Sequence, residues 1–252
     1  MITLTTDFSS KEHYAGVLKG VIKSYGPIDV IDITHDVEPF DILHGAYILM
    51  NIIGYFPDDT VHVVVIDPGV GTARRGIVAK LDHGYFVGPD NGILTLVKKR
   101  IKEVYEIISP GNISKTFHGR DVFVPVAAKI SMKKWPENLK RITSDEIFTL
   151  PIKDPIIEKN AIISQIIHID KFGNVITNVP EEFIKFSYDE EIFINYHGLH
   201  KAKFKSTYGE AMENELITLI NSENFLEIAM NRSSASKFLN AKKMDEVIFE
   251  LP

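Results

Sequence analysis

Apolar and polar residues follow two alternating patterns along the first half of the chain. Short runs rich in β-branched residues predict strands, and between them apolar residues recur at helical spacing. Ser9 and Glu12 have the spacing of a capping box at the start of the first helix, which we expect to end near Gly26. The predicted elements are strand Ile2–Asp7, helix Tyr14–Ile22, strand Ile28–Thr34, helix Pro39–Gly54, strand Thr60–Asp67, strands Gly76–Leu81 and Gly84–Gly88, and helix Asp121–Lys129. This β-α-β-α-β order predicts a mostly parallel sheet with flanking helices.

The C-terminal part shows short β-like runs and few helix signals. The runs are AIISQIIHID, NVITNV, EIFINYHG, ELITLIN, FLEIAMN and DEVIFEL. Their spacing predicts a smaller all-β domain, so the predicted fold class is α/β followed by all-β. Lys133–Pro155 contains prolines and charges with weak periodicity, and we interpret it as the crossing between the domains. We expect the boundary near Pro151, which gives domains of residues 1–150 and 151–252.

Composition narrows the class of protein. Of the 252 residues 44% are hydrophobic and 25% are charged, which is ordinary for a globular protein. The net charge of −6 and the scattered lysines argue against a general binder of nucleic acids or acidic membranes, so a small-molecule partner is favoured. The chain has 0 cysteines, which excludes disulfides and thiolate chemistry and suits the cytoplasm. Ala46–Phe56 is too short and too interrupted for a membrane span, and the first residues lack the basic start of a signal peptide.

Asp, Asn and Gly collect where the predicted strands end. These positions are TTDFS (Asp7), IDPGVG (Asp67), GPDNG (Asp90 and Asn91), FHGRD (His118) and IDKFGN (Asp170 and Asn174). In open α/β sheets, ligands bind beyond the carboxyl ends of the strands, so the N-terminal members of this set are candidate site residues. Each of them could also simply open a turn or cap a helix.

Several common sites are not supported by any motif. The chain has no Walker loop, no GxGxxG before a helix, no HExxH and no GxSxG, and a metal site would have to be assembled from distant histidines. Asp67, Arg74 and His118 remain as a candidate polar cluster. They could hold and orient a water molecule, or they could form a structural ion pair, and their spacing alone does not decide between the two.

Taken together, the motifs resemble one known family. They are TTDF (from Thr5), ITHDVEPFD (from Ile33), IDPGVGTARR (from Ile66), GPDNG (from Gly88), TFHGRDVFVPVAA (from Thr116), IDKFGNVITN (from Ile169) and INSENFLEIAMN (from Ile220). This order over nearly the whole chain is similar to that of the S-adenosyl-L-methionine (SAM) hydroxide adenosyltransferases, which are SAM hydrolases related to fluorinase and chlorinase. The resemblance implies an N-terminal α/β domain, a C-terminal β domain that completes the SAM site, and a homotrimer with active sites at the subunit interfaces. It implies SAM as substrate, with no metal and no further cofactor.

The resemblance also implies roles for individual residues. Asp67, Arg74 and His118 match the family's water-activating trio, with Arg74 rather than Arg75 chosen from its spacing to the aspartate. In that role Arg74 would favour the anion, His118 would accept or relay the proton, and Asp67 would orient both. The positions that match SAM-contacting residues are Asp7, Phe40, Asn91, Asp170, Phe172, Asn174, Ser222 and the backbone around Met230. The chain departs from the family pattern at Ser9, Glu223 and Asn224.

The predicted reaction is hydrolysis of SAM to adenosine and L-methionine by attack of water or hydroxide on the ribose C5′ atom. One alternative is halide transfer to give a 5′-haloadenosine, which the family's scaffold also supports and which Asp67 and His118 disfavour. Another alternative is a SAM- or adenosine-binding sensor with negligible turnover.

Overall fold

The computed structural model describes residues 1–109 and 111–250 of the chain. The chain divides into two compact units, Met1–Leu150 and Pro151–Pro252. The first unit packs helices on a sheet, and the second is built almost entirely of strands, so the predicted fold class is confirmed. Within the described ranges, no helix combines the length and the apolar character that crossing a membrane requires.

The first unit contains one seven-stranded sheet in the order β2-β1-β3-β5-β4-β6-β7. Its elements are β1 Ile2–Thr6, α1 Tyr14–Tyr25, β2 Val30–Thr34, α2 Ile42–Ile52, β3 Val61–Val65, β4 Gly76–Leu81, β5 Tyr85–Pro89, β6 Ile101–Ile107, α3 Val124–Ser131 and β7 Leu139–Ile142. Strands β2, β1, β3 and β5 run parallel, whereas β4, β6 and β7 add antiparallel neighbours. The parallel part is therefore the half of the sheet that carries strands β1 and β3.

Residues 63–66, which form the end of β3 and the residue after it, are all apolar because both faces of the strand are covered. Val63 and Val65 pack in a core with residues of α1 and α3, while Val64 and Ile66 pack in a separate core with residues of α2. A strand buried on both faces is expected to be a continuous hydrophobic run. The first polar side chain after this run is Asp67, so the sheet itself places that carboxylate at the carboxyl edge.

The capping-box prediction for the first helix is wrong. Helix α1 begins at Tyr14, its N-cap residue is His13, and no side chain caps it. Ser9 has a left-handed φ of 67°, whereas a capping serine has an extended backbone. Its hydroxyl instead accepts a hydrogen bond from the Lys11 N–H at 3.2 Å. Ser9 to Glu12 therefore form a turn that precedes the helix.

The prediction that Lys133–Pro155 crosses between domains is wrong for most of that segment. Leu139–Ile142 forms strand β7, which pairs with β6, and the first unit extends to Leu150. The strand was hidden in the sequence because β7 lies at the edge of the sheet, where Lys140 and Arg141 are exposed. An edge strand with exposed charged residues has no continuous apolar pattern.

The second unit is a closed barrel that also carries a short α-helix. Its elements are β8 Ile156–Ile157, β9 Ala161–Ile169, β10 Val175–Pro180, β11 Glu191–Asn195, β12 Leu199–Phe204, β13 Leu216–Ile220, β14 Phe225–Met230, α4 Ala235–Leu239 and β15 Glu246–Glu250. The strand order is β10-β14-β13-β12-β11-β15-β9-β8, and an additional pairing of β10 with β9 closes the ring. The predicted runs correspond to β9, β10, β11, β13, β14 and β15. Strand β12 was not predicted, because its sequence LHKAKF is interrupted by lysines that are exposed.

Candidate active site

A pocket lies at the carboxyl ends of the parallel strands β1 and β3. These strands are direct neighbours, with Thr6 opposite Val65, so Asp7 and Asp67 follow at the same edge of the sheet. The pocket has a volume of about 490 Å³. Its lining residues are Asp7, Phe8, Tyr14, Pro39, Phe40, Val65, Asp67, Val70, Thr116, Phe117, His118 and Gly119. This is the location at which α/β sheets bind ligands.

Asp67, Arg74 and His118 are in direct contact. Arg74 donates from Nε to Asp67 Oδ1 at 3.0 Å and from Nη2 to Asp67 Oδ2 at 2.5 Å. The same Nη2 atom lies 3.1 Å from His118 Nδ1. The Asp67 and Arg74 side chains are only 5% and 8% exposed, so the pair is shielded from water. Asp67 and His118 line the pocket, and Arg74 holds both of them.

A glycine allows the turn after β3 to approach the segment that carries His118. Gly71 has a φ of +77°, and a Cβ atom built on it would lie 2.2 Å from the carbonyl oxygen of Lys115. A residue with a side chain could not occupy this position without displacing the backbone of one of the two segments. The contact therefore brings the Asp67 turn against the residues that lead to His118.

The trio has a defined electrostatic arrangement. Burial raises the pKa of the Asp67 carboxyl, and the positive charge of Arg74 opposes that rise. Burial and the charge of Arg74 both lower the pKa of His118. A guanidinium group has only donors, so His118 Nδ1 accepts from Arg74 and the proton of the neutral ring is on Nε2. His118 thus has an N–H that is not needed by Arg74.

Arg75, the neighbour of Arg74 in sequence, makes a different set of contacts. Its Nε and Nη2 atoms donate to Asp90 Oδ2 at 3.1 and 2.6 Å. The other oxygen of Asp90 accepts from the Phe148 N–H at 2.8 Å. Arg75 and Asp90 therefore tie the end of β5 to the segment before Leu150, away from the trio.

Asp7 and Phe40 meet at the pocket through a backbone contact. The N–H of Phe40 donates to Asp7 Oδ2 at 3.0 Å, which leaves Asp7 Oδ1 available for a ligand. Phe40 has a φ of 69° and is 70% exposed, so its ring is presented at the surface of the pocket. Tyr14 and Phe117 add further aromatic surface, with ring centroids 5.5 Å apart. Neither aromatic residue was predicted to belong to a site, because Tyr14 matched the apolar face of a helix.

Asn91 is placed behind the pocket and is not one of its lining residues. Its Nδ2 donates to the carbonyl oxygen of Ile66 at 2.8 Å, next to Asp67. The structure thus gives Asn91 a contact that supports the end of β3.

A second pocket, of about 600 Å³, lies in the second unit. Its lining residues are Asp170, Phe172, Asn174, Tyr208, Met230, Arg232 and Ser233. Asp170 Oδ1 accepts from the N–H groups of Phe172 and Asn174, and Oδ2 accepts from the Asn174 side chain, each at 2.9 Å. These bonds fix the loop between β9 and β10. Gly173, in the same loop, has a φ of +87° and packs so closely on Ser234 that a Cβ atom would lie 2.0 Å from the serine oxygen.

The second pocket differs in part from the predicted set. Ser222 is exposed in the turn between β13 and β14, where its hydroxyl donates to Glu223 Oε1 at 2.9 Å, and it does not line the pocket. Tyr208, Arg232 and Ser233 line it and were missed. The sequence signal for Tyr208 was a single aromatic residue in the polar loop STYGE, which is too weak to select it without the fold.

Among residues 1–109 and 111–250, no group of three or more His, Asp or Glu side chains could hold a metal ion.

Comparison with known proteins identifies the family. The SAM hydroxide adenosyltransferase N-terminal domain matches residues 2–140, and the C-terminal domain of the same family matches residues 164–248. The chain is 40% identical to a protein of Methanocaldococcus jannaschii named (R)-S-adenosyl-L-methionine hydrolase, over 98% of this chain and 94% of that protein. It is 25% identical to a protein of Nocardia brasiliensis named fluorinase, over 96% of this chain and 94% of that protein.

A solved structure supports the same relationship. A crystal structure of a Thermotoga maritima protein superimposes with a TM-score of 0.90 and 38% sequence identity, and it covers 99% of each chain. The matched domains together span well over half of the chain. The chain therefore belongs to the SAM hydroxide adenosyltransferase family.

Proposed function

We propose that this protein hydrolyses SAM to adenosine and L-methionine by attack of water on the ribose C5′ atom. The observation that carries the proposal is the buried contact of Arg74 with both Asp67 and His118 at the carboxyl edge of the sheet. The 40% identity to a protein named (R)-S-adenosyl-L-methionine hydrolase supports the choice of substrate. SAM acts here as substrate, and we propose that no metal and no further cofactor is needed.

The chemical requirement of this reaction is the nucleophile. The sulfonium is already a good leaving group, so the protein has to hold a water molecule in line with the C5′–S bond. In the proposed step the water oxygen forms a bond to C5′, the C5′–S bond breaks, and its electron pair becomes a lone pair on the methionine sulfur. The water molecule gives up one of its two protons to the protein, which later releases it to solvent. The other proton stays on the oxygen as the 5′-hydroxyl of adenosine.

The geometry favours a particular division of roles within the trio. His118 Nδ1 is occupied by Arg74, so its Nε2–H donates to the water oxygen and orients it. Asp67 keeps lone pairs beyond those used by Arg74, and its pKa is raised by burial, so it accepts the proton. Arg74 positions both groups. Proton acceptance thus moves from His118, where the sequence-based hypothesis put it, to Asp67.

The remaining residues are proposed to bind SAM. Asp7 and Asp170 accept hydrogen bonds from ribose hydroxyls, because a carboxylate can accept two at once. Phe40 and Phe172, which are 70% and 67% exposed, pack against the adenine or the ribose. Asn174 and Met230 line the second pocket, whereas Asn91 and Ser222 act from outside the two linings.

We propose that the protein is a cytoplasmic homotrimer in which two subunits complete each SAM site. The support is that Asp7 and Phe40 line a pocket of the first unit while Asp170 and Asn174 line a pocket of the second. One ligand that used both pockets would need a residue set from each unit.

The test is incubation of the purified protein with SAM and identification of the products by chromatography and mass spectrometry. We expect adenosine and methionine in equal amounts. Formation of 5′-chloroadenosine in the presence of chloride would assign the halide-transfer reaction instead. Stoichiometric SAM binding without methionine release over many hours would assign a sensor.

A further inference from the structure

Glu227 is a buried carboxyl group in the middle of an apolar strand. It lies in β14, opposite Ile176 of β10 and Leu219 of β13, and it is 3% exposed. Its neighbours Leu226 and Ile228 belong to the core of the barrel, so the alternation of the strand directs Glu227 to the other face. An apolar residue would fill this position without the desolvation that a carboxyl group incurs.

The partner of Glu227 is Tyr208, one of the lining residues of the second pocket. The Tyr208 hydroxyl donates to Glu227 Oε1 at 2.8 Å. Tyr208 is on the loop between β12 and β13, in the short turn Tyr208–Glu210, and it is 43% exposed. A ring on a loop and exposed to this extent has several rotamers available unless something anchors it. The buried carboxyl provides that anchor from the wall of the barrel.

The groups around Glu227 shift the pKa of its carboxyl. Burial raises the pKa of Glu227 to about 7, and the negative charges of Asp170 and Glu223 add to the rise. The hydrogen bond from Tyr208 and, to a smaller extent, the side chain of Asn221 oppose it. His168 is a further titratable group on this face of the sheet. It lies opposite Ile176 in the pairing of β9 with β10, and Ile176 in turn lies opposite Glu227 in the pairing of β10 with β14. Asp170 is itself a lining residue of the pocket, so Glu227 is coupled to the pocket through both Tyr208 and Asp170.

We infer that Glu227 is a positioning residue for substrate binding: by accepting the hydrogen bond of the Tyr208 hydroxyl, it holds the Tyr208 ring as a fixed wall of the second pocket. The ligand that this wall serves is a nucleoside, because Tyr208 and Phe172 present aromatic surface beside the polar Asp170 and Asn174. This inference rests on the proposed function, in which the nucleoside part of SAM occupies the pocket. Glu227 does not touch the ligand and acts through Tyr208.

The test measures the Kd of adenosine by titration calorimetry, together with KM and kcat for methionine release from SAM. Glu227→Met removes both oxygens at similar length, and Tyr208→Phe removes only the hydroxyl. We expect each to raise the Kd of adenosine and the KM for SAM about tenfold, the usual effect of losing a hydrogen bond to a buried carboxyl group, with kcat within about twofold of the parent. Glu227→Gln keeps an acceptor for the hydroxyl, and we expect it to restore nearly the parent Kd.

The double variant and a matched control make the test specific. Glu227→Met in the Tyr208→Phe background should weaken binding no further, because the two residues act through one contact. The control is Tyr196→Phe, which removes a 2.6 Å tyrosine–carboxylate hydrogen bond to Asp245 elsewhere in the same unit. We expect this change to leave the Kd of adenosine unchanged.

The outcomes separate this inference from the proposed reaction. A Kd of adenosine in Tyr208→Phe within about twofold of the parent would overturn the inference even if Glu227→Met failed to fold, because losing the hydroxyl alone is expected to weaken binding about tenfold. Additive effects in the double variant would also overturn it. A parent protein that binds adenosine without releasing methionine from SAM would refute the reaction and leave the positioning role supported by the variants. A parent that neither binds adenosine nor releases methionine would refute both.

Discussion

Arg74 and Arg75 show how two adjacent side chains of the same type can have unrelated uses. Arg74 donates to Asp67 through two nitrogens and also reaches His118, whereas Arg75 donates to Asp90. The contacts of Arg74 need the planar fork of a guanidinium, because one group serves four acceptor atoms: two oxygens of Asp67, Nδ1 of His118 and the carbonyl oxygen of Arg75. A single ammonium group cannot satisfy the same set of acceptors at once.

This difference predicts opposite phenotypes for two conservative substitutions. Arg74→Lys should lower kcat about a hundredfold, the usual effect of losing an electrostatic or acid–base element, with little change in the Kd of SAM. Arg75→Lys should keep kcat near the parent value and lower the Tm, because its contacts join β5 to the segment at Phe148. Steady-state kinetics and thermal melts of both variants provide the measurement. Parent-like turnover in a folded Arg74→Lys protein would make the Asp67–Arg74 contact a structural ion pair.

The protonation state of the trio predicts an acid limb in the pH profile. The pKa of His118 is lowered by burial and by Arg74, so the ring is neutral at and above its ordinary range and gains a proton only as the pH falls below it. Protonation would put an N–H on Nδ1 against the Arg74 N–H and disrupt the arrangement. Protonation of Asp67, whose pKa is raised, would remove the proposed base, so it too would lower activity as the pH falls. We expect kcat/KM to be level at alkaline pH and to fall as the pH becomes acidic, and a profile that rises in acid would contradict these roles.

The turn after β3 and the π-helical turn Gly119–Phe123 are the elements that bring the trio together. The turn packs on the backbone of Lys115 through Gly71, and the segment after Lys115 leads to His118 and then to α3. Val124 donates to the carbonyl oxygen of Gly119, and Pro125, which has no N–H, follows it. The helical segment therefore begins with a π-helical turn at Gly119, the residue after His118, and becomes α-helical at Val124.

Substitution of one glycine tests whether this packing matters to turnover. Gly71→Ala would force its Cβ atom against the Lys115 oxygen at a φ that favours glycine, so we expect a lower Tm and a kcat reduced about tenfold or more, in line with the cost of small misplacements in a catalytic group. Gly20→Ala is the matched control, because nothing lies within 4 Å of a Cβ atom at that exposed helical position. Alanine favours a helix over glycine by about 1 kcal/mol, so this control should be slightly more stable and fully active. Equal kcat in both variants would mean that the turn does not position the trio.

The sequence patterns predicted the strands whose apolar residues form an uninterrupted run or a regular alternation. Strands β1 and β3 were evident because their residues are buried on both faces, and the barrel strands because their apolar residues alternate. Strands β6, β7 and β12 were missed because charged residues interrupt their patterns. The residues Asp67, Arg74 and His118 could be named in advance, but their contact spans 44 positions between Arg74 and His118 and depends on the close approach at Gly71. Glu227 and Tyr208 could not be found, since neither residue has a local pattern that indicates a partner in a distant loop.

Two of the pockets in the described part of the chain each contain part of the residues that the proposed reaction needs. The first contains Asp67 and His118 with Asp7, and the second contains Asp170 with Asn174. In the proposed homotrimer one subunit supplies the first set and a neighbour supplies the second. Closed rotational symmetry then gives each of the three interfaces the same site.

Mixing of inactive subunits tests this sharing. Arg74→Ala subunits lack a member of the proposed water-activating trio, and Asp170→Ala subunits lack the proposed ribose contact, so each homotrimer should be nearly inactive at SAM concentrations below KM. An equimolar mixture of the two variants is then unfolded and refolded. If the two kinds of subunit assemble at random in a closed ring, about a quarter of the sites should combine an intact first set with an intact second set. Restored methionine release near this level would support shared sites. Activity equal to the average of the two separate variants would contradict them.

The most direct test of the reaction follows the oxygen atom. The purified protein is incubated with SAM in water enriched in heavy oxygen, and the products are resolved by mass spectrometry. Attack of water on C5′ with Asp67 and His118 at the nucleophile predicts that the label appears in the 5′-hydroxyl of adenosine and that methionine remains unlabelled. Unlabelled adenosine, or label found only in a product derived from methionine, would contradict the mechanism.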